Sequence, residues 1–317
     1  QLSDQRDLMV RAALAAWGLQ ARSCDLFAER ENSIYRVSTS SATYALRLHR
    51  KNYVTNAELR SELIWMSHLR RCGMNIPEPL ALPDGNHILA YEGVNIDCLS
   101  WLPGVSFSEC IEAADKDDLI KICSEVGQEM ARLHNISDAW DLPDGFERRT
   151  WDGSGLVGEQ PIWGTFWTHP MLDQEQQLLL LKLRNVVREQ LSHDKFDYGL
   201  IHADLVRENV MVADGQVAFI DFDDSGFGYR LFDLATSLVK LQFLPQYPSL
   251  KNALLAGYSE FRLVDEGQLS LFMAIRAATY VGWIAQRADE PSAMGKARRY
   301  IKQACILAEE YFQDEDS

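Results

Sequence analysis

Long hydrophobic runs are missing from this 317-residue chain. No apolar stretch approaches the roughly 20 residues that a membrane-spanning helix needs. The start of the sequence has no basic stretch followed by an apolar one, so no secretory signal is expected. Cysteine is sparse, at positions 24, 72, 98, 110, 123 and 305, with no C-x-x-C pair and no histidines at zinc-site spacing. Scattered single cysteines read as reduced thiols, which points to the cytoplasm and leaves out a disulfide scaffold. Positive charge is short: 31 Lys and Arg stand against 46 Asp and Glu, a formal net charge of −15. Neutralising nucleic-acid phosphates or an anionic membrane takes clustered Lys and Arg, so neither partner is expected. The same imbalance favours a cationic or zwitterionic ligand, with a solvated acidic surface as the plain alternative. Internal repeats and low-complexity tracts are absent as well.

What is present is globular in composition, 47% hydrophobic and 24% charged. At this length that suffices for two domains or lobes. Residues 200–224 are the most informative. Leu200-Ile201 leads into His202, Asp204 and Asn209 in the spacing H-x-D-x-x-x-x-N. Two β-type runs, 210–213 and 216–220, flank Asp214-Gly215, a pair that signals a two-residue hairpin turn. The hairpin folds the chain back and carries Asp221 toward Asn209. Strict two-residue pairing sets Asn209 opposite Ile220 and turns Asp221 to the other face. For both side chains to share a ligand, the backbone therefore has to leave regular strand geometry near one end. Two oxygen donors beside a third carboxylate suit a hard cation such as Mg²⁺. They also suit phosphoryl transfer, where catalysis is mostly positioning and charge stabilisation. An ordinary hairpin with solvated polar ends is the competing reading. The order acid, amide, acid beside apolar strands speaks against it.

His202-Ala203-Asp204-Leu205 with Asn209 resembles the protein-kinase catalytic loop H-R-D-L-x-x-x-N, and Asp221-Phe222-Asp223 resembles D-F-G. The small residue after His202 and the D-F-D-D ending are more similar to the aminoglycoside phosphotransferase and choline kinase group. That group includes homoserine-kinase-like and bacterial Ser/Thr-kinase-like members. The resemblance implies an α+β, protein-kinase-like, two-lobed fold: a small β-sheet-plus-helix lobe over residues 1–101 and a larger, mainly helical lobe over 102–317. It also implies that Asp204 accepts the proton of the acceptor hydroxyl, while Asn209 and Asp221 hold Mg²⁺ for ATP. Val206 stands where protein kinases often carry a catalytic-loop lysine, and Asp223 replaces the glycine of D-F-G. Both departures argue against an ordinary eukaryotic protein kinase. Tyr44-Ala45-Leu46-Arg47 resembles V-A-I-K, with Arg47 in the place of the nucleotide-binding lysine. A guanidinium can bridge phosphate oxygens; a solvent-facing arginine on an edge strand is the alternative.

Strand-like runs are expected around residues 24–28, 34–39 and 43–49. Thr55-Asn56-Ala57-Glu58 is a capping box that opens a helix to about residue 71. Leu59, Met66 and Leu69 put Glu62 on the apolar face of that helix. A carboxylate there needs a partner, and Arg47 is the obvious cation unless Glu62 reaches water at the edge of the stripe. Residues 29–33, Glu-Arg-Glu-Asn-Ser, lie where kinases have a glycine-rich phosphate loop. Glycine is absent from them, and Asn32 and Ser33 are the candidate donors, with a plain hairpin turn as the equal alternative. Strand-like runs at 87–91 and 95–99 end at Ser100-Trp101-Leu102-Pro103-Gly104. By resemblance this is the linker that meets adenine, and Ser100 and Leu102 are the nearest candidates.

Leu119, Ile122, Val126, Met130 and Leu133 mark a long helix to His134, which reads as a hydrogen-bonded structural histidine. Residues 151–170, rich in Trp, Gly and Pro, either wall a substrate pocket by cation–π contact or pack under a long loop; packing is the preferred reading. Further helices are expected at 4–17, 173–191, 229–241, 249–261, 268–287 and 293–312. By resemblance, Asp233 supports the catalytic loop.

The expected activity is ATP- and Mg²⁺-dependent phosphoryl transfer to a hydroxyl of a small amine-containing acceptor: an amino alcohol, a hydroxyamino acid or an aminoglycoside. Asp223 and Asp224, directly after the metal position, would add negative charge that suits an amine. A bacterial-type Ser/Thr protein kinase on the same fold is the alternative. A non-catalytic nucleotide-binding protein is disfavoured because Asp204, Asn209 and Asp221 all stand, and a metal-dependent hydrolase would need further histidines beside them. Fold alone does not choose the acceptor, and no motif speaks to the oligomeric state.

Overall fold

The structure, a computed structural model, describes residues 2–29, 32–51, 53–193 and 196–315. It forms two compact units. One comprises Gln1–Val105, Trp140–Arg148 and Met211–Asp223; the other comprises Ser106–Ala139, Arg149–Val210 and Asp224–Ser317. The opening segment of the first unit runs through Val105, and two later segments return to it. Specific bonds explain the returns. The Glu147 N–H donates to Ser61 Oγ at 2.9 Å, and Phe219 N–H donates to the Asn75 carbonyl at 3.2 Å.

In the first unit, helix α1 (Leu2–Ala16) precedes strands β1 (Ser23–Glu29), β2 (Asn32–Ser38) and β3 (Thr43–His49). Helix α2 (Asn56–Arg71) follows, then β4 (Leu89–Tyr91) and β5 (Val94–Ser100). The five strands form one antiparallel sheet in the order β1-β2-β3-β5-β4. Met9, Val10 and Ala13 of α1 pack with Val37, Leu46 and Ile96 of the sheet in one core. The capping box forms: Thr55 Oγ1 accepts from Glu58 N at 3.1 Å, and Glu58 Oε2 accepts from Thr55 N at 2.9 Å. Beyond this cap α2 buries Leu59, Leu63, Trp65, Met66 and Leu69, the apolar stripe that its periodicity predicts.

A two-residue strand, β6 (Val105–Ser106), is followed by helices α3 (Phe107–Ala113) and α4 (Lys116–Asp138). Then come β7 (Arg149–Trp151), α5 (Gly153–Val157), α6 (Gln174–His193) and β8 (Tyr198–Ile201). The hairpin strands β9 (Val210–Ala213) and β10 (Gln216–Phe219) precede β11 (Gly226–Tyr229). Four helices complete the chain: α7 (Arg230–Val239), α8 (Tyr247–Ser259), α9 (Leu269–Ala285) and α10 (Ala293–Glu315). Within the second unit β11 lies between β7 and β8, parallel to the first and antiparallel to the second. These short strands were not expected, and Tyr229 ends β11 instead of starting the following helix.

Helices α4 and α8 meet backbone to backbone. A Cβ on Gly127 would stand 2.1 Å from the Leu254 carbonyl oxygen, and one on Gly257 would stand 2.1 Å from that of Ser124. Helix α9 is the axis of the second unit, buried at every residue from Leu271 to Gly282. A helix that is apolar all round belongs inside, and Arg276 is the one charged residue along it. None of the helices among the described residues is long and apolar enough to cross a membrane.

Candidate active site

In the second unit, strand β8 delivers the chain into the loop that holds His202, Asp204 and Asn209. Ala203 takes the left-handed conformation, φ +67°, which costs an L-residue about 1–2 kcal/mol. Asp233, from α7, offsets that strain. Its two carboxylate oxygens accept the backbone N–H groups of His202, at 2.9 Å, and Ala203, at 2.7 Å. His134 braces Asp233 in turn through Nε2 at 2.9 Å, and its Nδ1 accepts from the Tyr258 hydroxyl at 2.8 Å. Burial pushes the His134 pKa down to about 4, so the ring is neutral and both its nitrogens are satisfied. Burial alone would raise Asp233, but the hydrogen bonds it accepts from His134 and from the loop N–H groups hold it below the ordinary carboxylate range. His134 and Asp233 are therefore structural supports, the roles expected of them.

The loop presents Asp204 with both carboxylate oxygens engaged. Asn209 Nδ2 donates to Oδ2 at 3.0 Å and to the Asp204 carbonyl at 2.9 Å; Arg276 Nη2 donates to Oδ1 at 3.0 Å. Burial pushes the Asp204 pKa up to about 7 against the pull of Arg276. A quarter of the side chain, 25%, remains open to solvent, which tempers that rise. The Asn209 amide nitrogen is committed to Asp204, so its oxygen Oδ1 is the atom left to meet a hard cation.

In the first unit, the β9–β10 hairpin turns at Asp214 (φ +51°) and Gly215 (φ +74°), the primed turn expected of an Asp-Gly pair. Strand β10 ends at Phe219, and Asp221 lies at φ +65°. This is the departure from strand geometry that the pairing arithmetic requires, and Asp is among the residues that tolerate it best. Phe222 is fully buried, edge-on to Trp65 of α2 at 5.5 Å between centroids. Asp223 then joins a buried cluster around Arg47.

Arg47 is 4% exposed on a central strand, not on an edge. Its Nε and Nη2 clamp Asp97, directly across on β5, at 2.8 and 2.9 Å. Its Nη1 lies 2.9 Å from Asp223 Oδ1 and 2.9 Å from Glu62 Oε1. The expected strand–helix ion pair therefore forms, and Glu62, 1% exposed, does not reach water. Burial opposes the charge on Arg47, yet Asp97, Glu62 and Asp223 hold its pKa well above the ordinary value. Asp97, which burial would raise, is pulled down to about 2 by Arg47 and His49. Arg148 adds a second guanidinium: Nη1 lies 3.4 Å from Glu62 Oε2, and Nη2 donates to the Phe222 and Asp223 carbonyls at 3.2 and 2.7 Å.

Asn32 is the first residue of β2, and its amide donates to Asp223 Oδ2. Ser33 is half-buried in the same strand. Arg30 and Glu31, the middle of the expected phosphate loop, lie outside the described residues, as do Asp316 and Ser317 of the tail. Ser100 ends β5, and its N–H donates to the Glu78 carbonyl at 2.8 Å; Leu102 follows in irregular backbone. Asp223 and Asp224, expected to offer negative charge to an amine, are paired with cations of the protein. Asp223 is held by Arg47 and Asn32, and Asp224 by Arg149 at 2.8 Å. They no longer support a cationic acceptor. In the 151–170 segment, Trp163 lies over the chain's own Arg276, 4.6 Å from centroid to guanidinium carbon. Asp97, Arg148 and Arg276 were missed. The signal for Arg276 was visible, a lone charge inside an apolar helix.

The model of the phosphotransferase enzyme family matches residues 25–272, most of the chain, including Arg47, Asp204, Asn209 and Asp221. The chain belongs to the phosphotransferase enzyme family. This family member is a kinase that uses an alcohol group as phosphate acceptor. The solved microcompartment-associated aminopropanol kinase is similar to it over 97% of this chain and 98% of that one, with 25% identity and a TM-score of 0.84. An amicoumacin kinase solved in complex with AMP-PNP, Ca²⁺ and Ami shares the fold, with 18% identity, a TM-score of 0.78, and coverage of 95% and 93%. The homoserine kinase of Polaromonas naphthalenivorans (strain CJ2) is 27% identical, over 82% of this chain and 79% of that protein.

Proposed function

We propose that this phosphotransferase moves the γ-phosphate of ATP, with Mg²⁺, to a hydroxyl of a small amine-containing acceptor. The observation that carries the reading is Asp204: a partly exposed carboxylate on a braced loop, with its orientation set at both oxygens. Each oxygen keeps a lone pair beyond those bonds, so the group can take the acceptor's proton as phosphate transfer proceeds. Asn209 and Asp221 are the residues that would hold Mg²⁺, since an amide oxygen and a carboxylate are donors of the type it selects. Bound there, the cation would neutralise charge on the phosphate oxygens.

On the nucleotide side we assign Arg47, oriented by Glu62 and Asp97, with Asn32 and Ser33 beside it. Ser100 has its N–H engaged with Glu78, so Leu102 is the stronger candidate of the linker pair to meet adenine. The amine on the acceptor is supported by the net charge of −15 and by the aminopropanol and homoserine acceptors in the names of its relatives. The six free thiols suit a reducing compartment such as the cytoplasm.

Two measurements test this. Mg·ATP should raise the melting temperature of the wild type but not of Asp221→Ala, and an equal response in the variant removes Asp221 from metal binding. Steady-state kinetics should show transfer to aminopropanol, homoserine or an aminoglycoside in preference to a Ser/Thr peptide. Transfer to the peptide alone would overturn the small-molecule reading.

A further inference from the structure

We infer that Arg276 is the positioning residue for the catalytic carboxylate, supplying from helix α9 the cation that the catalytic loop lacks at Val206. The inference rests on the assignment of Asp204 as the base. Arg276 is completely buried, and it sits mid-helix with apolar residues before and after it. A charge in such surroundings is costly unless it is paired and hydrogen-bonded.

The pairing here is directional. Nε donates to Thr236 Oγ1 at 2.8 Å and Nη1 to Thr279 Oγ1 at 3.0 Å. Both hydroxyls are themselves fixed, because Thr236 Oγ1 donates to the Phe232 carbonyl at 2.8 Å and Thr279 Oγ1 to the Arg276 carbonyl at 2.6 Å. Tyr280 and Trp163 cover the guanidinium, with ring centroids 4.2 and 4.6 Å from its central carbon. Two threonines and two aromatic rings thus leave one corner of the plane, Nη2, aimed at Asp204 Oδ1 at 3.0 Å.

Asn209 takes the other oxygen, so the carboxylate has no free rotation. The planar fork suits this task better than an ammonium would, because a lysine cannot make three bonds in fixed directions within one plane. Arginine buried only for packing would not need its fork resolved onto the one carboxylate that faces the reaction. Helix α9 is buried along nearly its whole length, and a group on such an element is held more closely than one carried by the loop itself.

The test uses Arg276→Gln, Arg276→Lys, Asp204→Asn and the Arg276→Gln/Asp204→Asn pair, each as the full chain. Misplacing a reacting group by about 1 Å costs on the order of 10²-fold in rate. Arg276→Gln should therefore lower kcat by about 10²-fold while the KM for ATP moves less than about 3-fold. Arg276→Lys, which keeps the charge, should recover roughly 10-fold of that loss. Adding Arg276→Gln to Asp204→Asn should lower turnover little further, since the residue acts through Asp204. A merely structural arginine would lower the melting temperature and leave kcat per folded molecule intact, and that result overturns the inference. So does a full further drop in the double variant. If the wild type phosphorylates no acceptor, the functional reading has failed, and urea midpoints of the same four proteins decide this one: non-additive shifts support the contact, additive shifts overturn it.

Discussion

Asp204 shows how one residue's chemistry depends on its neighbours. Replacing it with asparagine keeps an oxygen for Arg276, but the amide cannot take a proton and turns a second N–H donor toward Asn209. Turnover should fall by about 10²–10⁴-fold, the range of a positioned general base, while Mg·ATP affinity stays near that of the wild type. Single-turnover kinetics with calorimetric titration of Mg·ATP measures both; turnover near wild type would remove Asp204 from the mechanism. Asp204, Asn209 and Asp221 were legible as candidates because their spacing lies within one stretch of chain. The partners of Arg276 and Asp97 were not. The bond from Arg276 to Asp204 spans 72 residues of sequence and that from Arg47 to Asp97 spans 50, and no local period reports such pairs. Asp223 shows the opposite error: its place after Asp221 suggested a free acid, and only the fold supplied its cations.

Among the elements, the helix crossing of α4 and α8 gives the sharpest expectation. Alanine is the better helix former than glycine by about 1 kcal/mol, so propensity alone makes Gly127→Ala stabilising. The crossing reverses the sign, because the added Cβ would lie 2.1 Å from the Leu254 carbonyl oxygen. Helices forced apart lose packing along the whole contact, and overpacking of this kind costs about 1–3 kcal/mol. Urea denaturation of Gly127→Ala should show that loss; a midpoint at or above the wild type would mean that the helices do not meet so closely. Long helices were readable at this scale, since burial on one face writes a 3.6-residue period into the sequence. Strands β7, β8 and β11 were not, because runs of three or four residues carry no period and pair with distant partners.

For the molecule as a whole, the buried histidines set a pH dependence with two opposing signs. His134 is depressed to about 4 from an unfolded value of 6.5. The unfolded chain therefore takes up the proton first, and stability falls as pH drops from about 6.5 toward 4. By pH 5 the loss from His134 alone reaches about 2 kcal/mol. His87 and His169, depressed by burial, act in the same direction. His49 acts the other way. Burial lowers it, but Asp97 outweighs burial and raises it above 6.5, so its contribution is full below 6.5 and is lost as pH rises through the folded value. Asp204, raised by burial, also adds stability as pH falls below about 7, and Asp204→Asn removes that contribution. In this variant NMR titration should show His134 neutral down to about pH 4 and His49 titrating above 6.5, with urea midpoints declining between pH 6.5 and 5. A His134 ring that titrates near 6.5 would show that burial does not hold it neutral.

Resemblance to known kinases implied the fold class, while the sequence by itself determined the Asp214-Gly215 hairpin, the Arg47–Glu62 pairing and the long helices. Each of these is written in local spacing, in turn chemistry or in the period of one apolar face. Tertiary structure alone decided where the charges end. It joined 140–148 and 211–223 to the first unit, closed Asp97, Asp223 and Arg148 around the Arg47–Glu62 pair, and brought Arg276 to Asp204. Buried charges choose their partners by proximity in space, since desolvation makes an unpaired one costly wherever its complement lies in the chain.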